Sequence, residues 1–152
     1  MIDHQPFMSQ AMTLAQAAFD AGEVPVGAIV VASDGKSVIG AAHNAPLSGN
    51  DPTAHAEILA IRQAAKNLGN YRLNDCTLYV TLEPCTMCAG AIAHARIKNL
   101  VYGASDSKGG AVANGVQFFE QPSCHHKINI TEGIMAAAAS AILRKFFQSR
   151  RK

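Results

Sequence analysis

Four residues of this chain have types and spacing that make a chemistry: His55 and Glu57 in Thr53-Ala54-His55-Ala56-Glu57, and Cys85 and Cys88 in Glu83-Pro84-Cys85-Thr86-Met87-Cys88. One neutral imidazole and two thiolates balance the charge of Zn2+ and leave a fourth tetrahedral position open, the mark of a catalytic rather than a closed structural site. Metal coordination lowers the pKa of water from about 15.7 toward about 7. Glu57 is then the group left to move protons.

Each of these side chains needs an element to hold it. Thr77-Leu78-Tyr79-Val80 is an apolar run that reads as a buried strand, and the cysteines follow it where an alanine-rich helix begins, with Pro84 punctuating the turn. Unpaired N–H groups and the positive end of a helix dipole favour thiolate, the form that binds metal. A second helix is predicted to open at Asp51-Pro52-Thr53, with Asp51 or Thr53 as its cap, Pro52 at an early helical position and His55 in its first turn. Two residues apart on a helix side, His55 and Glu57 would point roughly 200° apart. They face one site only if the helix points at it end-on.

Other chemistries use parts of this set. A C-x-x-C after a strand also fits a thioredoxin-like redox motif, against which the His55/Glu57 pair argues. A structural zinc needs a fourth protein ligand from Cys76, Cys124, His125 or His126, and Cys76 sits at the far end of its strand. His125 and His126, like His43 and His94, are the kind of histidine more often found packing or on the surface. Glu83, beside the cysteines, suits either a hydrogen-bonding or a turn-capping role.

Along the chain, residues 6–21 place Phe7, Met8, Ala11, Leu14, Ala15, Ala18 and Phe19 on one helical stripe ended by Gly22. Residues 28–32 and 37–43 read as a hairpin around Ser33-Asp34-Gly35-Lys36. A loop over 44–51 leads to the His55 helix, which runs to Gly69. Strand 76–81, helix 85–95, strand 99–103, strand 127–131 and helix 134–148 follow. The alternation indicates an α/β sheet with helices on both faces. Residues 103–122 have weak periodicity and receive no assignment.

The 152 residues form one expected domain, residues 1–152, able to bury about two-thirds of its unfolded surface without a metal. No apolar run is long enough to span a bilayer, and residues 1–6 carry no basic n-region, so a cytoplasmic protein is expected. Cys76 and Cys124 are read as free thiols. Net charge is only +2, but from residue 127 onward Lys127, Arg144, Lys145, Arg150, Arg151 and Lys152 face a single acid, Glu132. A local basic face follows, suited either to solubility or to phosphates.

The pairing of H-x-E with P-C-x-x-C is the signature of zinc deaminases. Closer matches extend it: Glu23-Val24-Pro25-Val26-Gly27-Ala28, Asp51-Pro52-Thr53-Ala54-His55-Ala56-Glu57, Asn70-Tyr71-Arg72-Leu73, Leu78 to Cys85, Met87-Cys88-Ala89-Gly90-Ala91 and Ile130-Thr131-Glu132-Gly133-Ile134. Over nearly the whole chain the sequence resembles the bacterial tRNA-specific adenosine deaminases of the cytidine-deaminase-like superfamily. Residues 110–124 match least.

That resemblance implies a three-layer α/β/α fold around a central mixed five-stranded sheet, and one Zn2+ per subunit held by His55, Cys85 and Cys88. It implies Glu57 as the catalytic residue, a homodimer, and conversion of the wobble adenosine of a tRNA anticodon stem-loop to inosine, with arginine tRNA bearing an ACG anticodon as the expected substrate. It places Asn44 at the target nucleoside, and Asp106 and Lys108 at the anticodon strand. The competing expectations are a deaminase of a free base or nucleoside such as guanine, cytosine or cytidine, and a zinc-stapled RNA-binding module without catalysis.

Overall fold

The computed structural model describes residues 2–150, so Arg151 and Lys152 of the basic tail lie outside the described residues. Five strands form one mixed sheet in the order β2-β1-β3-β4-β5: β1 Gly27–Val31, β2 Val38–His43, β3 Thr77–Leu82, β4 Asn99–Ala104 and β5 Asn129–Thr131. β1 runs antiparallel to β2 and β3, whereas β3, β4 and β5 are parallel. Four helices cover the sheet: α1 Gln5–Asp20, α2 Ala56–Leu68, α3 Thr86–His94 and α4 Ala136–Arg150. This is the expected cytidine-deaminase-like layering.

β1 reads Gly-Ala-Ile-Val-Val and is buried throughout, because both of its faces are covered. Strand side chains alternate. Ala28 and Val30 therefore join Ala56, Ala60, Ala64, Leu78, Val80, Ile92, Leu100 and Tyr102 under α2 and α3. Ile29 and Val31 join Met8, Ala11, Tyr79 and Val101 under α1. The α1 stripe read from the sequence is the one that packs. α4 lies beside α1, where the Phe19 and Phe146 rings meet edge to face at 5.8 Å.

Helix α1 approaches the sheet where β1 carries no side chain. A Cβ on Gly27 would collide with the Ala11 carbonyl oxygen and lie 2.7 Å from the Ala15 nitrogen. Gly27→Ala is expected to lower stability by about 2–3 kcal/mol, since neither helix nor strand backbone can yield cheaply. By calorimetry that is a drop in Tm of roughly 5–10 °C; an unchanged Tm would mean that this contact does not set the helix–sheet spacing.

Strand direction explains why distant residues meet. The ends of parallel β3 and β4, the start of antiparallel β1 and the end of β2 all lie on one sheet edge, as the Gly27–His43, Ala28–Val80 and Leu82–Ala104 registers require. Ligand sites of open α/β sheets form outside the carboxyl ends of parallel strands. Asn44, Glu83 and Ser105 are the first residues past the ends of β2, β3 and β4.

The structure corrects the opening of α2. Asp51 and Thr53 do not cap it and Pro52 is not helical: the Asp51 carboxylate accepts bonds from the Thr53 N–H and hydroxyl, at 2.9 and 2.7 Å, and closes a turn ahead of the helix. The helix starts at Ala56, and His55 is its N-cap residue in extended conformation, not a first-turn residue. The short range of an Asx turn lets one carboxylate satisfy the nearby donors before they can serve a helix. At the other end Gly69, at φ +67°, stops the helix as expected.

Candidate active site

His55 and Cys85 are the N-cap residues of α2 and α3, and Cys88 and Glu57 lie in the first turns of those helices. Two helix N-termini thus converge, and their free N–H groups and dipoles favour negative charge between them. His55 Nδ1 lies 3.6 Å from Cys85 Sγ and 3.4 Å from Cys88 Sγ. Among the described residues, these three form the one cluster of His, Cys, Asp and Glu whose ligand atoms, all within 4.8 Å of one another, can hold a metal.

The donor set fits zinc. Bonds of about 2.3 Å to sulfur and about 2.0–2.1 Å to nitrogen at tetrahedral angles place S and N roughly 3.6 Å apart, which the two observed separations match. Three protein donors leave one coordination position for a small molecule. Hydrogen bonds from Cys88 and His55 hold the Cys85 thiol down to about 4, and the same bond with Cys85, aided by burial, pushes Cys88 up. His55 is raised by its bond to Cys85. A divalent cation, which binds thiolate and neutral imidazole, competes here with protons on Cys88 and His55.

Glu57 is 4 % exposed and shares a cavity of about 330 Å³ with His55 and Cys85. Because α2 meets the cavity end-on, His55 and Glu57 reach it together despite their spacing. Burial raises the Glu57 carboxyl to about 7, against its own N–H and His55, which pull it down. A carboxyl poised there can both take and return a proton at neutral pH.

Asn44 lines the same cavity, and its Oδ1 accepts the Ala56 N–H at 2.7 Å. The cap of α2 thus comes from the end of β2. A backbone N–H can only donate, so this bond fixes the amide's orientation and leaves Nδ2 as its donor. Val24, Val26 and Leu82 supply apolar walls.

Glu83, Asp106 and Gly109 also line the cavity. The Asp106 carboxylate accepts the Lys108 and Gly109 N–H groups at 3.1 and 3.0 Å, so much of its capacity goes into shaping its own loop. Lys108 does not reach the small cavity; it lines an adjoining groove of about 830 Å³ with Leu82, Leu143, Arg144, Phe147 and Arg150. The basic face divides here, since Lys145 lies over the Phe19 ring instead. The Cys124, His125 and His126 run makes no metal cluster among the described residues, and His126 Nε2 donates to the Ile97 carbonyl at 2.6 Å.

Two buried acids build the walls: Glu23, to which sequence reasoning gave no role, and Glu83, whose hydrogen-bonding role it did offer. Glu23 is 2 % exposed and accepts the Leu47 and Ser48 N–H groups at 3.2 and 2.8 Å, which anchors the loop after Asn44. Burial works against its ionisation, but those bonds win and lower its pKa. Glu83 does the same for the unassigned loop after β4. Burial opposes its charge too, yet bonds from Asp106 N–H, Asn114 and Val112 N–H hold it down to about 2. The signal for Glu23 was an acid beside apolar residues in the connection from α1 to β1, in Glu-Val-Pro.

A depressed carboxyl makes stability depend on acid. Glu83 lends its full contribution above its unfolded pKa of about 4.3 and loses it as pH falls toward 2. A shift of this size corresponds to ~3 kcal/mol. In denaturant titrations the stability difference between wild type and Glu83→Gln is expected to be largest near pH 6 and to shrink between about pH 4.5 and 2. A difference that stays constant over that window would show that Glu83 is not held ionised by folding.

The chain matches the model of the MafB19-like deaminase family over residues 2–151. A deaminase-class fold and a His-Cys-Cys cluster beside a buried glutamate therefore occur together. The tRNA-specific adenosine deaminase of Haemophilus influenzae is 51% identical over 148 residues, which span 97% of this chain and 85% of that protein. A structure solved in work on A-to-I editing by tRNA:A34 deaminases at the wobble position of transfer RNA superposes with a TM-score of 0.88 at 51% identity, over 91% of this chain and 99% of that one. A guanine deaminase from Nitrosomonas europaea superposes at 0.80 with 28% identity, over 96% of this chain and 85% of that one. The chain belongs to the tRNA-specific adenosine deaminase family of cytidine-deaminase-like proteins.

Proposed function

We propose that this chain hydrolytically deaminates adenosine in tRNA, taking the wobble adenosine of an anticodon to inosine, with arginine tRNA bearing ACG as the first substrate. One observation carries the reading: in a chain 51% identical to a protein of that name, a buried glutamate and a zinc-compatible cluster share a cavity that opens beside a cationic groove.

His55, Cys85 and Cys88 would hold one Zn2+ per subunit, and when bound that ion supplies Lewis acidity and brings the pKa of water near neutrality. Glu57 accepts a proton of the attacking water and passes it to the ring nitrogen next to C6, then takes the remaining proton from the C6 hydroxyl so formed and delivers it to the amine, which leaves as the C–N bond breaks and the C6 carbonyl forms. Adenosine and water become inosine and ammonia. Asn44 Nδ2 donates to the nucleoside, and Val24, Val26 and Leu82 exclude water from around the base. A base enters such a cavity only when turned out of its stack, which the single-stranded anticodon loop allows.

Lys108, Arg144 and Arg150 line the groove where the neighbouring phosphates would lie. Three such contacts to a single strand predict a roughly 20-fold loss of tRNA affinity from 50 to 200 mM salt. A flat salt response would remove phosphates from the groove. The active form is taken to be a homodimer, to be checked by sedimentation together with metal content.

A second reading, deamination of a free base such as guanine, is supported by the superposition on the Nitrosomonas europaea guanine deaminase. The deciding test measures inosine at the wobble position of unmodified arginine tRNA, beside free guanine, cytosine, adenosine and cytidine, with Glu57→Ala as control. Inosine confined to the tRNA and dependent on Glu57 supports the proposal. Turnover of a free base with inert tRNA keeps the cluster's chemistry and overturns the substrate.

A further inference from the structure

The first residue past β3 is Glu83, whose N–H still pairs with the Ala104 carbonyl at 2.8 Å and whose side chain is 2 % exposed. Its carboxylate receives six hydrogen bonds from the segment 105–114. On Oε1 these come from the Ser105 hydroxyl at 3.1 Å, the Asp106 N–H at 3.0 Å and Asn114 Nδ2 at 2.7 Å. On Oε2 they come from the N–H groups of Val112, Ala113 and Asn114 at 3.0, 2.9 and 3.1 Å. The next carbonyl, that of Pro84, accepts the Ala111 N–H at 2.9 Å. The approach is so close that a Cβ on Gly110 would come within 2.5 Å of the Glu83 Cδ and of the Asp106 carbonyl oxygen.

We propose that Glu83 is a positioning residue for substrate recognition: one carboxylate, two residues before Cys85 and itself lining the cavity of His55 and Glu57, clamps the loop that gives Asp106 and Gly109 to the wall of that cavity. The proposal rests on the functional reading above and deepens it. Ser105, Asp106, Ser107, Lys108 and Gly109 also line the cationic groove, so the same clamp sets both the nucleoside wall and the start of the strand-binding surface. Six donors exceed the roughly four lone-pair sites of a carboxylate. Glu83 has no capacity left for a substrate or a travelling proton, which separates its role from that of Glu57.

The bond pattern also says why the residue must be glutamate. All six partners donate, three to each oxygen, so a glutamine would turn its NH2 either toward the three backbone N–H groups on the Oε2 side or toward the Asp106 N–H on the other. Its shape would be kept and its clamp lost. Asn114→Ala is the milder probe, because it removes the Nδ2 bonds to Glu83 and Ser105 and leaves the carboxylate and the backbone donors in place.

The test compares wild type, Glu83→Gln and Asn114→Ala by amide hydrogen exchange, zinc content and steady-state kinetics on tRNA. Exchange at residues 106 and 112–114 is expected to accelerate about tenfold or more in both variants, with the α1 amides of Met8 and Ala11 unchanged. KM is expected to rise about tenfold while kcat stays within about threefold, and zinc to remain stoichiometric, since a displaced wall weakens binding before chemistry. A fall in kcat at fixed KM would make Glu83 part of the reacting machinery, and loss of zinc would make it a support of Cys85; either result overturns the proposal. Unchanged exchange and unchanged KM would do so as well. If Glu83→Gln does not fold, Asn114→Ala decides. If wild type leaves tRNA untouched, the proposed substrate falls, and the exchange data still decide whether the clamp exists.

Discussion

Glu57→Gln is expected to lower kcat for inosine formation by about 10²–10⁴-fold, the span that a positioned acid or base contributes. The substitution keeps the volume of a side chain that is 4 % exposed, so packing at the start of α2 is retained. It removes the group whose carboxyl burial brings to about 7, and an amide can neither take a proton from water nor deliver one to a leaving amine. The metal-compatible cluster comprises His55, Cys85 and Cys88, so zinc content should stay at that of wild type. Single-turnover assays with metal analysis on the same preparation check both halves. A kcat within tenfold of wild type would remove Glu57 from the proton transfers, and loss of zinc with the side chain would make it a ligand instead.

The asymmetry between what was legible and what was not follows from the range of the interactions. Helices and strands came through because each writes its period into consecutive residues: Met8, Ala11, Ala15 and Ala18 are buried in α1 as their spacing demands. The cluster was legible for the same reason, since C-x-x-C and H-x-E are local spacings on helix starts. The opening of α2 misled, because Asp51-Pro52-Thr53 has the residue types of a helix cap and of an Asx turn alike, and the first helical N–H, that of Ala56, is taken instead by the amide of Asn44, twelve residues before it.

The loop after β4 was illegible on a larger scale. Its order comes from Glu83, whose partners lie 22 to 31 residues away in sequence, and no window of local periodicity contains both ends of such a contact. The basic tail shows a third limit. Its charges could be counted, but Lys145 turning to Phe19 while Arg144 and Arg150 line the groove is decided by how α4 packs. Long-range hydrogen bonds and helix rotation are what sequence patterns leave out, and here they shape the cavity walls while local patterns carry Glu57 and the metal-compatible cluster.

Cys85→Ser and Cys88→Ser are each expected to lose stoichiometric zinc and with it all measurable turnover. Both Sγ atoms lie at the zinc edge distance from His55 Nδ1, and a serine alcohol, harder and far less acidic than a thiol, replaces a charged ligand with a neutral one. Binding energies of about 10–16 kcal/mol for full zinc sites leave room for such a loss to empty a site at ordinary metal concentrations. The fold should survive it, because the sheet and its two buried clusters do not pass through the cluster residues alone, and circular dichroism of the variants checks this. Cys76→Ser is the matched control. Cys76 is buried just before β3 begins, about 20 Å of extended strand from the site, so its replacement should leave zinc in place. Stoichiometric zinc in Cys85→Ser or Cys88→Ser would contradict the ligand set, and loss of zinc in all three variants would point to destabilisation rather than to coordination.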